Sequence, residues 1–170
     1  MRGLSPPSTL GLVLAFTAVV LAAGLAWFLL SSRPTPQPIA FSHRLHAGQY
    51  QLDCLFCHGN AARGAAASIP AVRDCYVCHW SVGEGRPEIV KLERLVEEGL
   101  PIRWRKIVRL PEHVQFSHEP HVRRGIECAV CHGQVEEMEM THQIRELKMG
   151  VCVECHWENR ASSDCLVCHH

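Results

Sequence analysis

Hydrophobic and polar positions divide the chain into one unbroken apolar stretch and a long mixed remainder. From Leu10 to Leu30 the run LGLVLAFTAVVLAAGLAWFLL carries no charge over 21 positions. A helix of that length spans about 30 Å, the hydrocarbon thickness of a bilayer. The pattern predicts a membrane-spanning helix within an N-terminal anchor over residues 1–32. Arg2 precedes it, so the positive-inside rule keeps the amino terminus in the cytoplasm and exports everything after Arg33. A cleaved signal peptide is the competing reading, because Ala22, Ala23 and Ala26 are small enough for a peptidase. Signal peptides have apolar regions of only about 7–15 residues, and the length here favours a retained anchor.

The mixed remainder opens on RPTPQP at 33–38, a stiff, extended spacer within a linker over 33–40. Further on, Glu88 to Glu98 is apolar at Ile89, Leu92, Leu95 and Val96, the pattern of a short amphipathic helix. Pro87 starts it, and Gly99 and Pro101 stop it. The following IRWRKIVRL, 102–110, alternates as a strand or sheet edge would. Its basic residues Arg103, Arg105, Lys106 and Arg109 form either a solvated face or a surface for anionic groups.

Cysteine changes the picture. All ten cysteines occur as CxxC pairs, and histidine follows every pair: Cys54-Cys57-His58, Cys75-Cys78-His79, Cys128-Cys131-His132, Cys152-Cys155-His156 and Cys165-Cys168-His169. Such pairs also build zinc sites or, in exported chains, disulfides and redox dithiols. Neither chemistry needs a histidine at that fixed place. With histidine at 12 of 170 positions, five chance placements are negligible. C-x-x-C-H is the attachment sequence of c-type haem. Two thiols three apart on a helical turn meet the two vinyl groups of one macrocycle, and the adjacent imidazole lies under the iron as proximal ligand.

Composition agrees. Only 6% of residues are aromatic, few for a core built from side chains alone. Haem supplies the missing apolar interior. The predicted fold is mainly α and irregular: a transmembrane helix, then a compact pentahaem domain over 41–170 with little regular structure. A two-haem block, 41–84, precedes a three-haem block, 111–170. The charges balance, 17 basic against 17 acidic, and give no reason to expect a nucleic-acid partner.

The blocks repeat one element. FSHRLHAGQYQLDCLFCHG (41–59) and FSHEPHVRRGIECAVCHG (116–133) both run from F-S-H-x-x-H to CxxCH. Histidines three apart on a helix lie on neighbouring faces, where they can reach two different haems. His43, His46, His118 and His121 are therefore the first four distal ligands, with His43 over the Cys54 haem and His118 over the Cys128 haem. For the fifth, Met138 or Met149 is favoured, since a thioether raises one haem's potential. His113, His142 and His170 are the imidazole alternatives.

QPIAFSHRLHAGQYQLDCLFCHG, PEIVKL, IRWRKIVRLPEHVQFSHEPHV, CHGQVEEMEM and LKMGVCVECH together resemble the pentahaem cytochrome c subunit of alternative complex III, in the same order over 37–170. The resemblance implies a single-pass subunit in the cytoplasmic membrane, with its haem domain on the periplasmic side. It implies a menaquinol-oxidising respiratory or photosynthetic complex. The implied partners are an iron–sulfur/molybdopterin-like subunit, polytopic quinol-binding subunits, a monohaem cytochrome c and a soluble electron acceptor. His43, His46, His118 and His121 match the family's paired histidines, and Met138 and Met149 its recurrent methionines. His113 and His142 stand where that family has other residues.

The sequence thus predicts a non-catalytic electron-transfer subunit. A multihaem nitrite or hydroxylamine-type reductase needs an open iron position, yet distal candidates outnumber the motifs and no CxxCK occurs. A stand-alone, membrane-anchored quinol dehydrogenase feeding periplasmic reductases is the alternative.

Overall fold

The computed structural model describes residues 8–31 and 36–169. Arg2, Arg33 and His170 lie outside them. The chain divides into two compact units, Met1–Pro34 and Thr35–His170.

The first unit is helix α1, Thr9–Ser31. Residues Thr9–Leu30 have a mean hydropathy of 2.5, and this is the helix among the described residues long and apolar enough to cross a membrane. Its start is capped by Ser8, whose Oγ accepts the Gly11 N–H at 3.2 Å. The Thr17 hydroxyl donates back to the Val13 carbonyl at 2.9 Å, so the helix satisfies this polar group itself.

The second unit is mainly α and irregular, with no strand among the described residues. Its helices are short: α2 (Cys54–Cys57), α3 (Val72–His79), α4 (Pro87–Glu97), α5 (His118–Arg123), α6 (Cys128–His132), α7 (Met149–Glu158) and α8 (Cys165–Cys168). A π-helical turn, Arg44–Gln49, and two 3₁₀ turns, Gly59–Ala62 and Val135–Glu137, complete the elements.

Helix α4 forms where the apolar spacing placed it, with proline at its first position. It buries Leu92 against Ile39 and Val72, and Tyr76, Leu95, Val96, Ile102 and Trp104 pack around that cluster. Side chains alone bury little elsewhere. The only other buried apolar residues described are Ala61 and Met138. This sparse interior is what a domain organised around large flat cofactors requires.

The strand expected at 102–110 does not form. Ile102 and Trp104 turn inward while Arg103 and Arg105 stay exposed, so the alternation is real. No neighbouring strand pairs with it. Instead the Gln37 side-chain amide donates to the Arg105 carbonyl at 3.0 Å and accepts its N–H at 2.9 Å, taking the part of one residue of a partner strand.

Candidate haem sites

All five CxxCH motifs lie on helical turns, which bring thiols three residues apart onto one side. Four- and five-residue helices have too few hydrogen bonds to stand alone. Asp53 and Asp164, each directly before a motif, cap α2 and α8 by accepting Leu55 N–H at 2.7 Å and Leu166 N–H at 2.8 Å. Asp74 similarly accepts the Ala71 N–H at 2.8 Å at the start of α3. Burial, as the largest cause, raises the thiols of Cys54, Cys57, Cys75 and Cys152 above the ordinary cysteine range.

The motif histidines are oriented through one ring nitrogen. Nδ1 of His58 meets the Ser68 carbonyl at 2.7 Å, that of His79 the Val82 carbonyl at 2.9 Å, and that of His169 the His113 carbonyl at 3.1 Å. His156 Nδ1 pairs with the Ser162 carbonyl. A carbonyl only accepts, so Nδ1 carries the proton and Nε2 keeps its lone pair. That tautomer and orientation are what an iron-binding imidazole needs.

Each of these rings, and that of His132, is faced by a second imidazole. His43 and His58 have ring centres 6.5 Å apart with 13° between planes, and His118 and His132 stand at 6.3 Å and 8°. His46 and His79 are 6.0 Å apart, as are His121 and His156. With metal–nitrogen bonds of about 2 Å on each side, two imidazoles sharing one iron have centres about 6 Å apart. The geometry therefore fits haem iron between each pair.

The facing histidines share a local device. Phe41 lies edge-on to His43 at 4.8 Å and stacks on His46 at 4.4 Å, while Phe116 does the same for His118 at 4.9 Å and lies 4.7 Å from His121. Nδ1 of His46 bonds the Ser42 carbonyl and that of His121 the Ser117 carbonyl, each at 2.8 Å. His118 uses the Ala65 carbonyl at 2.7 Å, and His43 the Thr141 hydroxyl at 2.8 Å. Burial first, then neighbouring His58 and His46, push His43 down to about 4. Burial likewise lowers His132, with His118 and His58 adding to it. Both shifts favour the neutral ring, the form in which imidazole binds a metal.

For the fifth motif, the ring facing His169 is that of His113, at 5.5 Å and 26°. Met138 is buried and Met149 is 67% exposed at the start of α7. His142 is exposed, its Nδ1 3.3 Å from the Met140 carbonyl. His113 stands outside the F-S-H-x-x-H element, so no repeat drew notice to it. Thr141 carried no signal in the sequence at all.

Two further features suit a carboxylate-bearing cofactor. Trp104 Nε1 is buried without a hydrogen-bond partner, a donor waiting for an acceptor. Arg103, Arg105, Lys106 and Arg109 beside it are exposed.

No family model matches the chain. It is 29% identical over 185 residues to the multihaem cytochrome c subunit of menaquinone reductase from Nitratidesulfovibrio vulgaris, spanning 91% of this chain and 88% of that one. It is 27% identical over 166 residues to the cytochrome c-type protein NrfB of Escherichia coli O6:H1, spanning 86% and 88%. Similarity along most of the chain, joined to ten cysteines held only in CxxCH motifs, supports the class of multihaem c-type cytochromes with covalently bound haem c.

Proposed function

We propose that the chain is an electron-transfer subunit with five covalently bound c-type haems, working in a membrane quinol-oxidising complex and passing electrons to a periplasmic acceptor. The observation that carries this reading is the set of facing imidazoles about 6 Å apart, one pair for each CxxCH motif. Bound haem supplies the one-electron couple. The chain supplies attachment through the five cysteine pairs, proximal ligands His58, His79, His132, His156 and His169, and distal ligands His43, His46, His118 and His121. For the fifth iron, the 5.5 Å spacing favours His113 over Met138 or Met149.

A quinol-linked setting is supported by the likeness to a menaquinone reductase subunit and by the apolar helix α1. Alternative complex III, with its iron–sulfur/molybdopterin-like, polytopic and monohaem partners, is the finer assignment that the segments of 37–170 suggest. The anchor 1–32, linker 33–40 and haem domain 41–170 are the corresponding organisation. Satisfied imidazoles at every motif favour electron transfer over catalysis at an open iron.

Intact mass of the mature protein tests the cofactor load. A gain of five haems is expected, and four or fewer removes a motif. Gentle purification from the native membrane tests the setting: other subunits should accompany the chain, whereas isolation alone with full quinol oxidation supports the stand-alone dehydrogenase.

A further inference from the structure

Two segments of the chain repeat more fully than their first motifs. Each runs F-S-H-x-x-H, then CxxCHG, then CxxCHW: 41–80 ends on Cys75-x-x-Cys78-His79-Trp80 and 116–157 on Cys152-x-x-Cys155-His156-Trp157. Within each, the first histidine of the pair faces the first motif and the second histidine faces the second motif.

The contacts between the two segments are reciprocal. The residue after the first distal histidine is Arg44 in one segment and Glu119 in the other. Arg44 N–H donates to the Met138 carbonyl at 2.9 Å, and Glu119 N–H to the Gly64 carbonyl at 3.2 Å. Met138 stands six residues after His132, and Gly64 six after His58. The next positions answer one another too. Ala65 accepts from both the His118 N–H and its ring, and the Glu139 carboxylate accepts from Ser42 and Arg44. Accordingly the π-helical turn 44–49 packs on the 3₁₀ turn 135–137, and α5 packs on the 3₁₀ turn 59–62.

Reciprocity of this kind distinguishes a two-fold axis from a tandem shift. In a two-fold interface residue i meets j and j meets i, and a residue near the axis meets its own equivalent. A tandem repeat joins unlike surfaces in one direction only. Cys54 lies close to Cys128, its equivalent in the other segment, and His132 close to its equivalent His58. The axis runs between the first motifs of the two segments. The second motifs lie outward: Cys75 is close to Cys57, and Cys152 to Cys131. The fifth motif follows beyond, with Cys168 beside Cys152 and the Cys168 carbonyl accepting Gln115 N–H at 2.8 Å.

Building on the five-haem reading, we propose that residues 41–80 and 116–157 are two copies of one two-haem module related by an internal two-fold axis, so that the haems run in space as second, first, third, fourth, fifth. Sequence order and conduction order differ. With haem bound at every motif, an electron crossing between the Cys75 and Cys152 motifs would pass those of Cys54 and Cys128 at the centre, and the Cys75 and Cys165 motifs would be the two ends.

Iron-edge anomalous diffraction on the full, haem-loaded chain reads this directly, with no recourse to activity. The expected result is that the Cys54 iron has the Cys75 and Cys128 irons as its two neighbours, and that a rotation near 180° superposes the first pair of irons on the second pair. A Cys75 iron adjacent to the Cys128 iron, or two pairs related by translation, overturns the proposal. The iron count separates this from the reading beneath it. Fewer than five irons removes the pentahaem assignment, while the neighbours of the Cys54 and Cys128 irons still decide the order.

Discussion

Nδ1 of His43 and the hydroxyl of Thr141 lie 2.8 Å apart, although 98 residues separate them in the chain. Its counterpart His118 leans on a backbone carbonyl instead. If Nε2 binds iron, as proposed, Nδ1 carries the proton and donates to Thr141 Oγ1. A hydrogen bond there raises ligand basicity and favours the ferric state.

Thr141→Val should therefore raise the potential of the haem attached at Cys54 and leave the others near their starting values. Thr141→Ser should restore it. Redox titration of the loaded protein checks both, and losing one such bond should cost about 1 kcal/mol of stability.

Gly48 is required by space. A Cβ at that position would run into the Glu136 carbonyl oxygen, which belongs to backbone and cannot swing away. Gly48→Ala should destabilise the loaded protein by about 1–3 kcal/mol, as overpacking does. Gly59→Ala is the control, since its Cβ would meet only the far end of Arg63 at an ordinary 3.5 Å. Thermal melts of the two variants should separate clearly.

The fifth iron gives a spectroscopic prediction. If His113 faces His169 across iron, the native protein shows no near-infrared methionine-to-iron band. His113→Met should create that band and raise one potential, because axial thioether favours the ferrous state. Met138→Leu and Met149→Leu should leave the spectrum unchanged. A band in the native protein that either of these abolishes would return the ligand to methionine.

Glu88 ties the start of the domain to α4, accepting Ala40 N–H at 2.8 Å and Lys91 Nζ at 2.6 Å. The bond from Lys91, then that from Ala40, holds its carboxyl below the ordinary value of 4.5. A lowered folded value means the stabilisation is full above the unfolded value and is lost as pH falls through the folded one. Glu88→Gln should remove that part of the acid dependence, about 0.5–1 kcal/mol for so exposed a pair. Melting wild type and variant side by side from pH 6 to about pH 3 should show the difference shrinking toward acid.

Much of this was legible because the chemistry is local. The attachment motifs, the paired histidines and helix α4 each announce themselves within a dozen residues. What escaped depends on long closures. The alternation of 102–110 reads as a strand, and only the distant Gln37 amide explains why none is needed. His113 meets the motif at His169 across 56 residues, so no local pattern joined them. The first F-S-H-x-x-H winds as a π-helical turn and the second as α, a difference that Gly48 and its close neighbour Glu136 accompany but the shared motif does not encode.

Neither block carries its own support for its first distal imidazole. The Ala65 carbonyl holds His118, and the Thr141 hydroxyl holds His43. Cutting the chain between the blocks would leave each fragment with its covalent haems but with one ligand ring unsupported and free to swivel. The two stretches that share the repeated motif are thus not units of folding: they should melt together, and a two-haem fragment engineered from either should not keep the properties it had in the whole.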